Sequence, residues 1–206
     1  LNRIEAIYSL INIGDKVIDV GCDQAELGIM LGRNGISSIA SDISEKVIEK
    51  AREKISELNL NNYIDLRVSN GLENIKEDEA NTLVLAGMGT HTILDILSST
   101  NILFDKIITI SNNYHDTLRI KMNELNYTVH SELIIKENNK YYNLIMFIPG
   151  SKSYSEYEIL LGLNHIDNKL YNDYLKYILN KYKKIQETSE NKNEKINKII
   201  NLIESH

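Results

Sequence analysis

The chain has 206 residues, 42% of them hydrophobic and 25% charged, the composition of an ordinary globular protein and long enough for one domain with a smaller unit attached. A formal net charge of −6 excludes general coating of nucleic acid, which needs clustered positive charge; residues 151–206 hold nine lysines against eight acids, and the rest holds 14 basic against 21 acidic residues. The lone cysteine, Cys22, excludes an internal disulfide framework and argues against a cysteine zinc site. No metal and a reducing, cytoplasmic setting are expected. No apolar run approaches the ~20 residues of a membrane span, and the N-terminal segment lacks a signal pattern, so no membrane partner is expected. The oligomeric state is left open, with a monomer favoured.

Apolar residues at Leu1, Ile4, Ile7, Tyr8 and Ile11 fall on one face of a helix. The turn Asn12-Ile13-Gly14-Asp15 leads into the strand VIDVG. Ser37 to Asp42 reads as a second strand, and Ser44 to Leu58 as a helix with Ser44 at its N-cap. Tyr63 to Val68, Thr82 to Ala86 and Asp105 to Ile110 read as further strands. This alternation predicts a Rossmann-like α/β fold with a parallel sheet wrapped by helices. Tyr127 to Lys136 and Lys140 to Ile148 are separated by three residues, too few for a crossover helix, so they form a terminal antiparallel hairpin that places a reversed strand at the sheet edge. The only proline, Pro149, precedes Gly150, Ser151, Lys152 and Ser153, which marks a boundary between a domain of residues 1–150 and a unit of 151–206. In that second unit Leu163, Ile166, Leu170, Tyr174 and Tyr177 step by threes and fours, as do Ile196, Ile199 and Ile203. Two helices packed as a small coiled-coil-like hairpin are expected.

The stretch VIDVGCDQAELG, from Val17 to Gly28, carries the most chemistry. In an open α/β sheet, ligands bind beyond the carboxyl ends of the strands where strand order reverses. Gly21 lets backbone approach a ligand there. Asp42 stands 21 residues later, the spacing of an acid that accepts hydrogen bonds from ribose hydroxyls. A dinucleotide needs G-x-G-x-x-G to cradle its pyrophosphate, whereas this chain puts the anionic Asp23 in that place. S-adenosylmethionine carries an ammonium and a sulfonium and no phosphate, so Asp19 and Asp23 suit it better. Farther on, Asn70 in VSNGL offers an amide oxygen to an adenine amine. The segment Ala86-Gly87-Met88-Gly89-Thr90 lacks the Asn or Asp, two prolines and aromatic typical of enzymes that methylate exocyclic amines. Its glycines suggest a flat wall open to a planar ligand.

The motifs DVGCDQAEL, VSNGLENI, LAGMGT and NNYH, with the helical C-terminal unit, resemble those of the bacterial tRNA adenine-N1 methyltransferases that act at position 22 of tRNA. The resemblance covers essentially the whole chain. It implies S-adenosylmethionine as cofactor, methylation of N1 of one adenosine, tRNA as partner, and a helical unit that helps to hold the RNA. The chain departs from that family's pattern at Asp23-Gln24-Ala25, Ser69-Asn70-Gly71 and Ser111-Asn112-Asn113, where Asp-His-Ala, Gly-Asp-Gly and Gln-Pro-Asn are usual. A methyltransferase for another substrate, or a non-catalytic binding protein, are the alternatives.

The candidate cofactor-binding residues are Asp19, Gly21, Asp23, Asp42, Ile43, Asn70, Gly71, Gly87 and Met88. Asp23 is the candidate to stabilise positive charge on the methylated base, and Asn113 to hold the adenine edge. Gly89, Asn112 and the lysines Lys181, Lys183 and Lys184 are candidates for substrate binding. Cys22 reads as a small buried side chain, and His91 and His115 as residues of loops at the sheet edge.

Overall fold

The computed structural model describes residues 1–163, 168–188 and 193–205; Ile166, expected in a C-terminal helix, lies outside them. Helix α1 (Arg3–Tyr8) precedes β1 (Val17–Val20), and then α2 (Glu26–Arg33), β2 (Ser38–Asp42), α3 (Glu45–Glu57), β3 (Ile64–Val68), β4 (Thr82–Met88), α4 (Thr90–Ser98), β5 (Lys106–Ser111) and α5 (His115–Glu124) follow. The long strands β6 (Tyr127–Glu137) and β7 (Lys140–Pro149) lead to α6 (Glu156–Leu161), α7 (Lys169–Thr188) and α8 (Glu194–Glu204). The seven strands form one sheet in the order β3-β2-β1-β4-β5-β7-β6. Strands β1 to β5 pair in parallel, and β7 is antiparallel to both β5 and β6. The reversed strand is therefore inserted between β5 and β6, and the sheet edge is β6, which corrects the expected placement. The chain turns back after residue 139 and its second strand, being fully apolar on both faces at Leu144 to Phe147, takes the covered position.

Alternation along the strands sends neighbouring residues to opposite faces. Val17 joins α1 and α2 in a cluster with Ala6, Ile7, Leu27 and Leu31, whereas Ile18 joins α4 and α5 in a cluster with Ile93, Leu118 and Met122. A third cluster seats Ile48, Ala51 and Ile55 of α3 on Ala40 and Ile64. The chain runs outward from β1 to β3 and then returns to β4 beside β1, so the order reverses between β1 and β4, and a crevice opens at their carboxyl ends.

Three helices, not two, follow residue 150 among the described residues. The short α6 has a capping box between Ser155 and Glu158, a signal that i, i+3 periodicity alone does not reveal. Tyr154 donates or accepts at Thr128 Oγ1 (2.9 Å) and accepts from the Val129 amide (2.8 Å). Leu161, Tyr171, Leu175 and Ile199 cover Ile134 of β6. The helices thus bury the edge strand, which otherwise would present apolar side chains to water.

Candidate active site

The turn between β1 and α2 contains three left-handed residues, Gly21 (φ 78°), Asp23 (φ 47°) and Ala25 (φ 53°). Both the Gly21 and Cys22 amides donate to the Ser41 carbonyl, at 2.8 and 3.0 Å, which pins this turn to the end of β2. A Cβ on Gly21 would stand 3.2 Å from Met88 Cε, so the glycine is needed both for its φ and for the close approach of β4. Non-glycine residues in this region store strain that clusters at functional sites. Asp23 is exposed at this turn, and its carboxylate has no hydrogen-bond partner among the described residues.

Asp19 is buried in β1, 8% exposed, and no donor among the described residues meets its carboxyl group. Burial first, and then the neighbouring Asp42 carboxylate, together raise its pKa to about 7. Two neighbouring carboxyl groups, one of them buried and neither in an ion pair among the described residues, create a site that favours a positively charged ligand. The same surroundings push the Cys22 thiol up to about 12, by burial first and then by Asp19 and Asp42. Cys22 is thus an inert packing residue.

At the end of β2, one oxygen of Asp42 accepts from the Ser44 amide at 2.9 Å, which fixes the residue that precedes α3, while the Ser44 hydroxyl makes no capping bond. Its other oxygen has no described partner. Ile43 beside it is 70% exposed, an apolar surface offered to a flat ring. After β3, the Asn70 side-chain amide donates to Glu73 at 2.8 Å, and its oxygen has no partner among the described residues. Gly71 (φ 58°) has a different reason to be glycine: a Cβ would meet Ile96 of α4 at 3.2 Å.

Strand β4 ends in a bulge between Ala86 and Met88, with Gly87 at φ 81° and open space where a Cβ would stand. Bulges of this kind re-aim the chain beside active sites. Asn112 holds the bulge, its side chain donating to the Gly87 carbonyl at 2.8 Å and its amide to the Met88 carbonyl at 2.9 Å. Asn113 Oδ1 accepts from the Thr90 amide at 3.2 Å, capping α4, whose N-cap Gly89 has no side chain to do so. A Cβ on Gly89 would stand 3.6 Å from that oxygen. Asn112 and Asn113 therefore support the exits of β4 and β5, with Asn113 Nδ2 left to donate. His115 is turned inward, its Nε2 3.0 Å from the Ser111 carbonyl, and burial lowers its pKa.

Asp19, Gly21, Asp23 and Gly87 line one cleft of about 650 Å³, within the range of cofactor and substrate sites. Asp42, Ile43, Asn70 and Gly71 lie at the neighbouring strand ends, outside its wall. The same cleft is lined by Asn2, the N-cap of α1, by Arg3 and by Glu137, which no motif of the sequence singled out. Arg3 pairs with Glu137 at 2.5 Å and sits 4.5 Å over the Tyr142 ring, joining partners 134 positions apart. The chemistry of the donors fits S-adenosylmethionine: carboxylates for the amine and the ribose, an apolar surface and an amide oxygen for adenine, and no phosphate cradle.

A family model described as a methyltransferase domain matches residues 1–145. The structure of M. capricolum TrmK in complex with the cofactor product S-adenosylhomocysteine superimposes with a TM-score of 0.83 at 30% identity, covering 99% of this chain and 94% of that one. The chain belongs to the TrmK family of methyltransferases. Streptococcus pneumoniae Sp1610 matches with a TM-score of 0.89 at 25% identity, over 100% of this chain and 98% of that one. The tRNA (adenine(22)-N(1))-methyltransferase of Bacillus subtilis is 27% identical over 158 residues, 73% of this chain and 65% of that protein. The chain thus spans just under two thirds of the length of this curated relative.

Against the TrmK family pattern noted above, Gln24 stands at the cleft and accepts a long 3.5 Å bond from Lys54. The lysines of α7 lie apart from the cleft. Lys183 pairs with Glu204 of α8 at 2.5 Å, while Lys181 and Lys184 are exposed without an ion pair among the described residues. Lys195 at the start of α8 reaches Asp116 at the start of α5, at 2.6 Å. That pair brings the α7–α8 end to the side of the sheet where β5 delivers Asn113, which no sequence pattern discloses.

Proposed function

We propose that the protein is a cytoplasmic tRNA-modifying enzyme that transfers a methyl group from S-adenosylmethionine to N1 of an adenosine in tRNA, at position 22. The observation that carries the reading is the buried Asp19 carboxyl group, without a partner among the described residues, beside Asp42 at the crevice between β1 and β4. Membership of the TrmK family, and a relative named as an adenine(22)-N1 enzyme, support the base and the position.

When bound, S-adenosylmethionine supplies a methyl group on a positively charged sulfur, open to displacement by a ring-nitrogen lone pair. Asp19 meets the ammonium end, Asp42 the ribose hydroxyls, and Ile43 and Asn70 the adenine. Adenine N1 already carries its lone pair, so the protein needs no strong base and works by alignment and exclusion of water. Because N1 lies on the pairing edge, the target base enters unpaired or flipped. Gly87 and Gly89 leave room for it, Asn113 Nδ2 donates to its edge, and the Asp23 carboxylate stabilises the positive charge that the base acquires. Residues 151–206 form the RNA-contacting unit, with Lys181, Lys183 and Lys184 facing phosphates.

The test is mass spectrometry of nucleosides from unmodified tRNA incubated with the protein and isotopically labelled S-adenosylmethionine. Labelled 1-methyladenosine that vanishes with Asp42→Ala supports the reaction. Absence of any labelled nucleoside, with cofactor binding demonstrated, overturns it.

A further inference from the structure

Tyr114 follows Asn113 at the carboxyl end of β5 and adopts φ 49°, ψ 45°. For a bulky residue this is a true outlier, and one that is sustained only when the surroundings over-determine it. The surroundings do so. The buried hydroxyls of Thr90 and Ser111 lie 2.7 Å from each other and 2.6 and 2.8 Å from the Asn113 carbonyl. The Tyr114 carbonyl accepts the Leu118 amide at 3.0 Å, in the first turn of α5.

The strain is not spent on burying the residue, which is 54% exposed. Its described ring contact is with His91 of α4, centroids 5.7 Å apart and planes tilted by 58°. His91 is itself exposed, so the pair forms an aromatic corner at the mouth of the β4 and β5 exits. Asn113, the neighbouring residue, has its oxygen tied to Thr90 and its amide nitrogen free. Gly89 adds no side chain in front of it. On the far side, the Lys195–Asp116 ion pair sets the α7–α8 end two residues along. The corner thus stands between the cofactor crevice and the helical unit.

An exposed ring held rigidly beside a hydrogen-bond donor matches the two needs of an unpaired purine: a π surface for its face and a polar group for its edge. Resting on the reaction proposed above, we propose that Tyr114, braced by His91, is the platform on which the unpaired target base stacks. The phenolic hydroxyl is not required. The site takes a purine base presented by RNA and does not touch the cofactor.

Three variants separate this role from a structural one. Tyr114→Asn removes the ring but suits the left-handed backbone, since asparagine tolerates that region; Tyr114→Phe keeps the ring; His91→Ala removes the brace. With unmodified tRNA, Tyr114→Asn is expected to lower kcat/KM by roughly 10- to 100-fold, the range of base stacking on one aromatic ring. Tyr114→Phe stays within about threefold of wild type and His91→Ala falls between them, while S-adenosylhomocysteine affinity stays within about twofold in all three. A Tyr114→Asn enzyme with wild-type kcat/KM overturns the proposal. As an independent readout, tRNA carrying 8-azidoadenosine at the target position is photocrosslinked and the adduct mapped by peptide mass spectrometry. An adduct on Tyr114 or His91 supports the platform, and adducts confined to other segments overturn it. If the wild-type protein methylates no tRNA, the proposed reaction fails, and the crosslink alone decides the platform.

Discussion

Arg119 on α5 and Glu132 on β6 form an ion pair sealed from solvent, their side chains 1% and 0% exposed. Each also holds the segment beyond the sheet: Arg119 Nη1 donates to the Ile159 carbonyl at 2.7 Å, and Glu132 accepts from the Leu163 amide at 3.0 Å. Burying two charges is tolerable only with this degree of satisfaction. Removing one partner strands the other, so Arg119→Met or Glu132→Gln is expected to lose about 3–5 kcal/mol in urea denaturation. The double variant Arg119→Met/Glu132→Leu recovers much of that loss. A loss below 1 kcal/mol in the single variants defeats this account.

Gly162 lies against the same pair. Its φ is 98°, and a Cβ there would stand 2.7 Å from Glu132 Oε1 and 2.8 Å from Arg119 Nη2. Because those atoms are fixed by burial, Gly162→Ala should cost more than about 2 kcal/mol from strain and displacement together. Gly14→Ala, with a φ of 99° but open space around it, supplies the control for the backbone contribution alone. Equal losses in the two variants mean that the packing at Gly162 is not tight.

Asp19 sets a pH dependence whose sign follows from its raised pKa. The folded protein keeps the proton up to about pH 7, whereas the unfolded chain loses it near the ordinary value of 3.8. The stability that Asp19 contributes is therefore complete below about pH 4 and is lost as pH rises through 7. Asp19→Asn has no such loss. Without cofactor it should match wild type near pH 4 and exceed it at pH 8 by roughly 2–4 kcal/mol, read as a difference in thermal unfolding. Cofactor affinity moves the other way, tightening in wild type between pH 6 and 8 as the carboxylate forms, and weak and flat with pH in the variant.

Asp42→Ala removes the carboxylate at the end of β2. The charged hydrogen bonds lost are worth about 1.5–3 kcal/mol, so affinity for S-adenosylhomocysteine should fall roughly 10- to 100-fold by titration calorimetry. Ser44 also loses its amide partner, and a small drop in melting temperature accompanies the change. Unaltered affinity removes Asp42 from the cofactor site.

On α7, neutralising Lys181 and Lys184 should weaken tRNA binding and flatten its dependence on salt, by about 0.7–0.9 in log–log slope for each phosphate contact removed. Lys183, already paired with Glu204, should contribute less. Slopes identical to wild type place the RNA path elsewhere on the molecule.

Local pattern was sufficient to read the strands from Val17 to Ile110, the glycine and acids of the β1 turn, and Asp42 at its fixed distance, because periodicity and short-range spacing decide these within one element and its turn. Reversal of β7 was legible from the three-residue loop, but its place between β5 and β6 was not, since only the competition of two apolar faces for cover settles which strand lies inside. The motif NNYH marked a site, yet Asn113 as a cap for α4 and Tyr114 as an exposed ring depend on Thr90, 23 residues before Asn113, and on the Ser111 hydroxyl, two residues before it. Composition by itself determined a globular chain with an acidic first 150 residues, and the motifs by themselves determined an α/β cofactor fold. Tertiary structure alone decided that Asp19 is buried beside Asp42 without a partner among the described residues, that Arg3 pairs with Glu137 at the cleft, and that Arg119 and Glu132 lock the C-terminal helices to the sheet, because each is a contact between distant segments whose energy comes from shared burial.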